Sequence, residues 1–156
     1  MTCTARSLFL AWAAAVVIAA PASAAEAPVA TDAWSRATPP GSDVAAVYLT
    51  LRGGVAADRL TGASTARATM AHLHSMQDTG NMSGMRPVDG IDIPAGTVVA
   101  LAPRGLHLML MGLSKPLVGG EHFSVTLHFA KGGDRAVDVR VLPATAADPT
   151  VPANHP

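Results

Sequence analysis

Cysteine is nearly absent from this 156-residue sequence: the only one is Cys3, close to the N-terminus. The segment around it reads as a secretory signal. Arg6 supplies the positive start, Leu8 to Ala20 is apolar but short for a bilayer span, and Ala22-Ser23-Ala24 offers the small residues that signal peptidase requires. Residues 1–24 are therefore expected to be removed, with Ala25 as a neighbouring cleavage alternative and a retained membrane anchor as the competing reading. Cys3 precedes the apolar stretch, too early for the lipid-bearing cysteine that closes a lipoprotein signal. What remains after cleavage has no thiol. Disulfides cannot brace it, and a soft-metal site in it must use thioether and imidazole in place of thiolate.

An excess of charge is also missing. Lys and Arg number 11, as do Asp and Glu, and loss of Arg6 leaves a balance of one negative charge scattered along the chain. This excludes the electrostatic footprint of a nucleic-acid binder or of a protein held to anionic lipid. Sustained helical periodicity, internal repeats and low-complexity tracts are lacking too. Ser75, Ser83 and Ser124 sit in no nucleophile-elbow pattern, and no His₂Cys set is present for a blue-copper electron carrier, so no enzyme or redox carrier is expected.

What is present is period-two alternation broken by turn residues. Phe123 to Phe129, the turn Lys131-Gly132-Gly133-Asp134, and Ala136 to Val141 predict a hairpin with Val125, Leu127 and Phe129 on the same face as Val137, Val139 and Val141. Further strands are predicted at Val44 to Leu51, Thr69 to Met76, Thr97 to Leu101 and Leu106 to Met111. Pro39-Pro40-Gly41 reads as a turn, and Asp78-Thr79-Gly80-Asn81 as a hairpin tip. Short strands at this spacing predict an all-β, antiparallel sandwich or barrel over residues 32–142. Residues 25–31 form a loose lead-in and residues 143–156 a flexible tail. One domain of this length buries a core without staples.

Histidine and methionine cluster in two places. In Leu106-His107-Leu108-Met109-Leu110-Met111, alternation puts His107, Met109 and Met111 on one strand face and the leucines on the other. Met70, His72, His74 and Met76 alternate in the same way with Ala71, Leu73 and Ser75. Two stripes meeting at one edge of the fold would bring imidazoles and thioethers together, a donor set that suits Cu(I) better than Zn(II), Mg(II) or Ca(II). The competing reading makes the methionines core filler and the histidines surface residues. Alternation alone does not choose among the members of the stripes.

The spacing His74, ten residues, Met85, twenty-one residues, His107-x-Met109 resembles the motif of the periplasmic copper chaperones called PCuAC. The likeness continues through Ala33-Trp34-Ser35-Arg36-Ala37-Thr38-Pro39-Pro40-Gly41, Ala46-Val47-Tyr48-Leu49-Thr50, Met85 to Gly90 and Gly105 to Gly112, covering roughly Thr31 to Val141. The resemblance implies a cupredoxin-like β-barrel and a copper site of His74, Met85, His107 and Met109, with Cu(I) preferred and Cu(II) as the alternative. It also implies delivery of copper to cytochrome c oxidase during assembly. The signal predicts a periplasmic location, and a monomer is expected. A passive copper buffer or resistance protein would use the same ligands. His72, Met76, Met82 and Met111 fall outside the matched positions, and the tail offers only His155 for a second site.

Overall fold

The computed structural model describes residues 27–79, 82–146 and 149. The expected signal, residues 1–24, and most of the expected tail lie outside the described residues. Among those described there is no helix, and so none long and apolar enough to cross a membrane. Ten strands form one sheet: β1 (Val29–Arg36), β2 (Val44–Arg52), β3 (Asp58–Ser64), β4 (Ala68–Thr79), β5 (Met82–Pro87), β6 (Ile91–Ile93), β7 (Val98–Leu101), β8 (Leu106–Leu113), β9 (His122–Phe129) and β10 (Gly133–Leu142). Their order is β5-β4-β8-β2-β1-β10-β9-β3-β6, with β7 pairing the second half of β2. All ladders are antiparallel except β1 with β10, where Trp34–Arg36 run beside Arg140–Leu142. The predicted all-β class is the one observed.

The sheet curls around one apolar core, and alternation decides which residues enter it. In β9, Phe123, Val125, Leu127 and Phe129 are buried, and across the β9–β10 ladder Val125 meets Val137 and Phe123 meets Val139, as the hairpin reading required. The turn is tighter than expected, because Gly133 already pairs with Phe129 at a backbone φ of 68° that glycine adopts without penalty. Asp58 at the start of β3 holds this turn. It accepts backbone N–H bonds from Arg59 (2.7 Å) and Lys131 (2.9 Å) on Oδ1 and from Gly132 (2.8 Å) on Oδ2.

The N-terminal boundary differs from expectation. β1 begins at Val29, inside the stretch read as loose, because Val29, Ala30 and Thr31 pair with Arg52, Leu51 and Thr50 of β2. A register shift follows between Thr31 and Trp34, with Asp32 at φ 53°. A bulge of this kind breaks the in–out alternation, and Ala33, Trp34 and Ser35 are consecutively buried. The Ser35 hydroxyl, thus buried, donates to the Ala46 carbonyl at 2.8 Å.

β4 runs past the predicted end at Met76 and pairs with β5 as far as Thr79 opposite Met82. Of the predicted hairpin tip, Gly80 and Asn81 lie outside the described residues. Pro39-Pro40-Gly41 is a turn closed by the Ser42 N–H on the Pro39 carbonyl at 3.1 Å, with Gly41 at φ 82° in the position where a type II turn calls for glycine.

Candidate metal centre

The two stripes lie side by side. β4 and β8 are antiparallel neighbours, and their register sets His74 opposite His107, His72 opposite Met109 and Met70 opposite Met111. The intervening Leu73, Leu108 and Leu110 are buried in the core, so the donors occupy the other face of the sheet. β5 folds back along β4 and brings Met85 opposite Met76. Without this strand the stripes would hold no residue from the Met82–Pro87 segment.

His107, Met109, Met85 and Met76 line one open cavity of about 430 Å³. Tyr48 and Arg104 also border it, as do Arg36, Ala37, Thr38, Pro39 and Ser42 from the segment joining β1 to β2. His74 does not line this cavity; it stands beside it on β4, its ring 5.8 Å from that of His107 and tilted by 39°. The structure therefore groups His74, His107 and Met109 on adjacent strands, and His107, Met109 and Met85 around one cavity that His74 does not line. Exposure differs among them: His107 is 5% exposed, His74 and Met109 are half-buried, and Met85 is 53% exposed.

A turn carbonyl fixes the buried imidazole. Gly105 closes the Ala102–Gly105 turn, and its carbonyl accepts from the backbone N–H of Met76 (3.1 Å) and from Nδ1 of His107 (3.1 Å). With Nδ1 donating, Nε2 of His107 carries the lone pair, the tautomer a metal ligand needs. Nδ1 of His74 is buried with no hydrogen-bond partner among the described residues, a nitrogen whose demand a soft cation or a water would meet. Burial, and then the nearby imidazoles of His107 and His72, hold the His74 pKa below the ordinary histidine value. Its ring stays neutral, which is the ligating form. Trp34 and Tyr48 extend the array, with ring centroids 4.6 Å apart and Tyr48 6.4 Å from His107. Among the described residues no group of three or more His, Cys, Asp or Glu side chains is placed to hold a metal, so the thioethers are essential to any centre here.

Elsewhere the structure joins residues that sequence reading had left apart. Ser64 donates to Nε2 of His128 (3.0 Å), whose Nδ1 donates to Asp134 (2.7 Å). These three exposed side chains come from β3, β9 and β10, and neither Ser75, Ser83 nor Ser124 is involved. Only the register of three strands, which no local motif encodes, brings them together. They lie on the solvent side of the sheet and bridge its strands. His122 similarly meets Asp138 at 2.5 Å.

The all-β sheet is similar to those of solved cupredoxin-like PCuAC domains. The copper-bound PCuAC domain from PmoF2 matches with a TM-score of 0.64 and 26% identity, over 74% of this chain and 92% of that one. The Cu(I)-bound solution structure of DR1885 from Deinococcus radiodurans matches with a TM-score of 0.61 and 35% identity, over 78% and 81% of the two chains. Residues 29–141 match the family model described as "Putative lipoprotein LpqE-like", and the chain belongs to this LpqE-like family. Lxx21020 of Leifsonia xyli subsp. xyli, also named as a lipoprotein, is 33% identical over 130 residues, covering 82% of this chain and 77% of its own length.

Proposed function

We propose that this protein is an exported copper metallochaperone. It binds one Cu(I) through His74, Met85, His107 and Met109 and passes it to a partner by ligand exchange. The observation that carries the reading is the β4–β8 register that sets His74 opposite His107 beside Met109, with Met85 on the cavity that His107 and Met109 line. Similarity to solved PCuAC domains with bound copper supports it.

Two imidazoles and two thioethers are neutral, so the cargo keeps its single positive charge, and the thioethers release no proton on binding. Such a set favours Cu(I), with Cu(II) as a weaker alternative. Exposure sets an order for release. Met85 is open to solvent and is replaced first by an incoming soft ligand, Met109 follows, and the buried His107, held by Gly105, lets go last. No bond of a substrate is broken, and the protein is not an enzyme.

Export to the periplasm rests on the N-terminal signal, and the relatives' lipoprotein names agree with an exported protein. The receiving protein is a cytochrome c oxidase copper subunit, and the chaperone meets it as a monomer. Mixing the Cu(I)-loaded protein with a purified oxidase copper domain tests this. Loss of copper from the chaperone and its recovery in the oxidase domain is expected. Copper retained by the chaperone, with deletion impairing only copper tolerance, would instead make it a buffer.

A further inference from the structure

We propose that the same sheet face carries a second, more exposed Cu(I) site formed by Met70, His72 and Met111 and joined to the first through Met109. The inference extends the copper reading above and uses donors which that reading leaves idle.

Register carries the argument. Met70 is directly opposite Met111, and His72 directly opposite Met109, one step further along the β4–β8 ladder than the His74–His107 pair. Opposed residues have Cβ atoms about 5 Å apart, and same-face neighbours along a strand are about 7 Å apart. Two flexible thioethers and an imidazole from such positions can close on one ion above the sheet. Met70 is 49% exposed, His72 is exposed and Met111 is half-buried. Core packing, the usual reason for methionine, does not explain Met70. The ladder is tied at this end, because the Thr69 hydroxyl donates to the Gly112 carbonyl at 3.2 Å. A Cβ at Gly112 would lie 2.6 Å from that hydroxyl, so the close strand approach depends on glycine there.

The three donors are neutral and include two soft sulfurs, which selects a monovalent soft cation over Zn(II) or Ca(II). Met109 lies opposite His72 and next to His107 on its own strand, so it borders both sites. Copper arriving at the open end can move inward by exchanging one donor at a time, with no change of oxidation state.

Anaerobic Cu(I) titration of the purified protein, against a competing Cu(I) chelator and with the methionine methyl groups followed by NMR, tests the proposal. Two equivalents are expected: the first moves the methyls of Met85 and Met109, and the weaker second moves those of Met70 and Met111. Met70→Leu with Met111→Leu, near volume-conserving and checked by an unchanged melting temperature, should reduce two equivalents to one and leave the first intact. One equivalent in the unmodified protein, moving only Met85 and Met109, overturns the second site and spares the first. Two equivalents that survive the double substitution also overturn it. No bound copper at all overturns both.

Discussion

His74 and His107 face one another across the β4–β8 ladder, their rings 5.8 Å apart, although thirty-two residues separate them along the chain. Each is prepared differently. His107 is oriented by the Gly105 carbonyl, and His74 is kept neutral by burial and by its imidazole neighbours. Strand pairing thus sets two imidazoles side by side on one sheet face, beside the thioether of Met109, and the proposed Cu(I) site is built from this arrangement.

The orientation of His107 gives a direct expectation. Nitrogen NMR of the metal-free protein near pH 8 should find Nδ1 of His107 protonated and Nε2 not. A proton on Nε2 instead would show that the Gly105 contact does not set the tautomer.

Copper itself should stabilise the fold. At Cu(I) one hundred times above the dissociation constant, mass action contributes about 2.7 kcal/mol, which raises the melting temperature by roughly 10 °C. A scan with and without Cu(I) under reducing conditions checks this, and chelation should reverse the gain.

The strand that presents the donors is anchored from behind. Leu108 and Leu110 are fully buried between His107, Met109 and Met111. Leu108→Ala should cost about 2–5 kcal/mol in a denaturant titration, whereas Met111→Leu on the outer face should cost under about 1.5 kcal/mol. Equal losses would mean that the two faces are not distinct.

Acid stability should report on Asp58, which is 8% exposed. Burial pushes its carboxyl up, but the three backbone N–H donors and the charge of Lys131 together outweigh this and hold it below the usual carboxylate range. Its contribution is complete above the unfolded value of about 3.9 and is lost as pH falls through the lower folded value, since the unfolded chain takes up the proton first. Asp58→Ala leaves the Lys131 and Gly132 donors unpaired and should cost about 3 kcal/mol at pH 7. The deficit relative to the parent protein should shrink below pH 4. A deficit independent of pH would contradict this role.

The parts of the fold visible in the sequence are those where one face meets the core and the other meets solvent. In β8 and β9 the leucines, valines and phenylalanines alternate with polar or sulfur-bearing residues, and both the strands and their inward faces could be read directly. β1 could not, because the bulge at Asp32 buries three successive residues. β3, with Thr61, Gly62 and Ala63 at its centre, lacks an apolar stripe, and β6 is only Ile91–Ile93. β5 contains Gly84 and Pro87 and owes its place to pairing with β4. The site divides the same way. Alternation gave the His/Met faces, whereas Met85 came only from family spacing, and the lining of the cavity by Arg36, Ala37, Thr38, Pro39 and Ser42 emerges from the long-range pairing of β1 with β2.

The central claim is that His74, Met85, His107 and Met109 together hold Cu(I), and a chelator-competition titration of the parent protein beside Met85→Leu with Met109→Leu tests it most directly. The double substitution keeps side-chain volume and should weaken the tighter copper site by at least about tenfold, or 1.4 kcal/mol, while the melting temperature of the metal-free protein stays within a few degrees. Unchanged affinity in the folded variant would contradict the assignment.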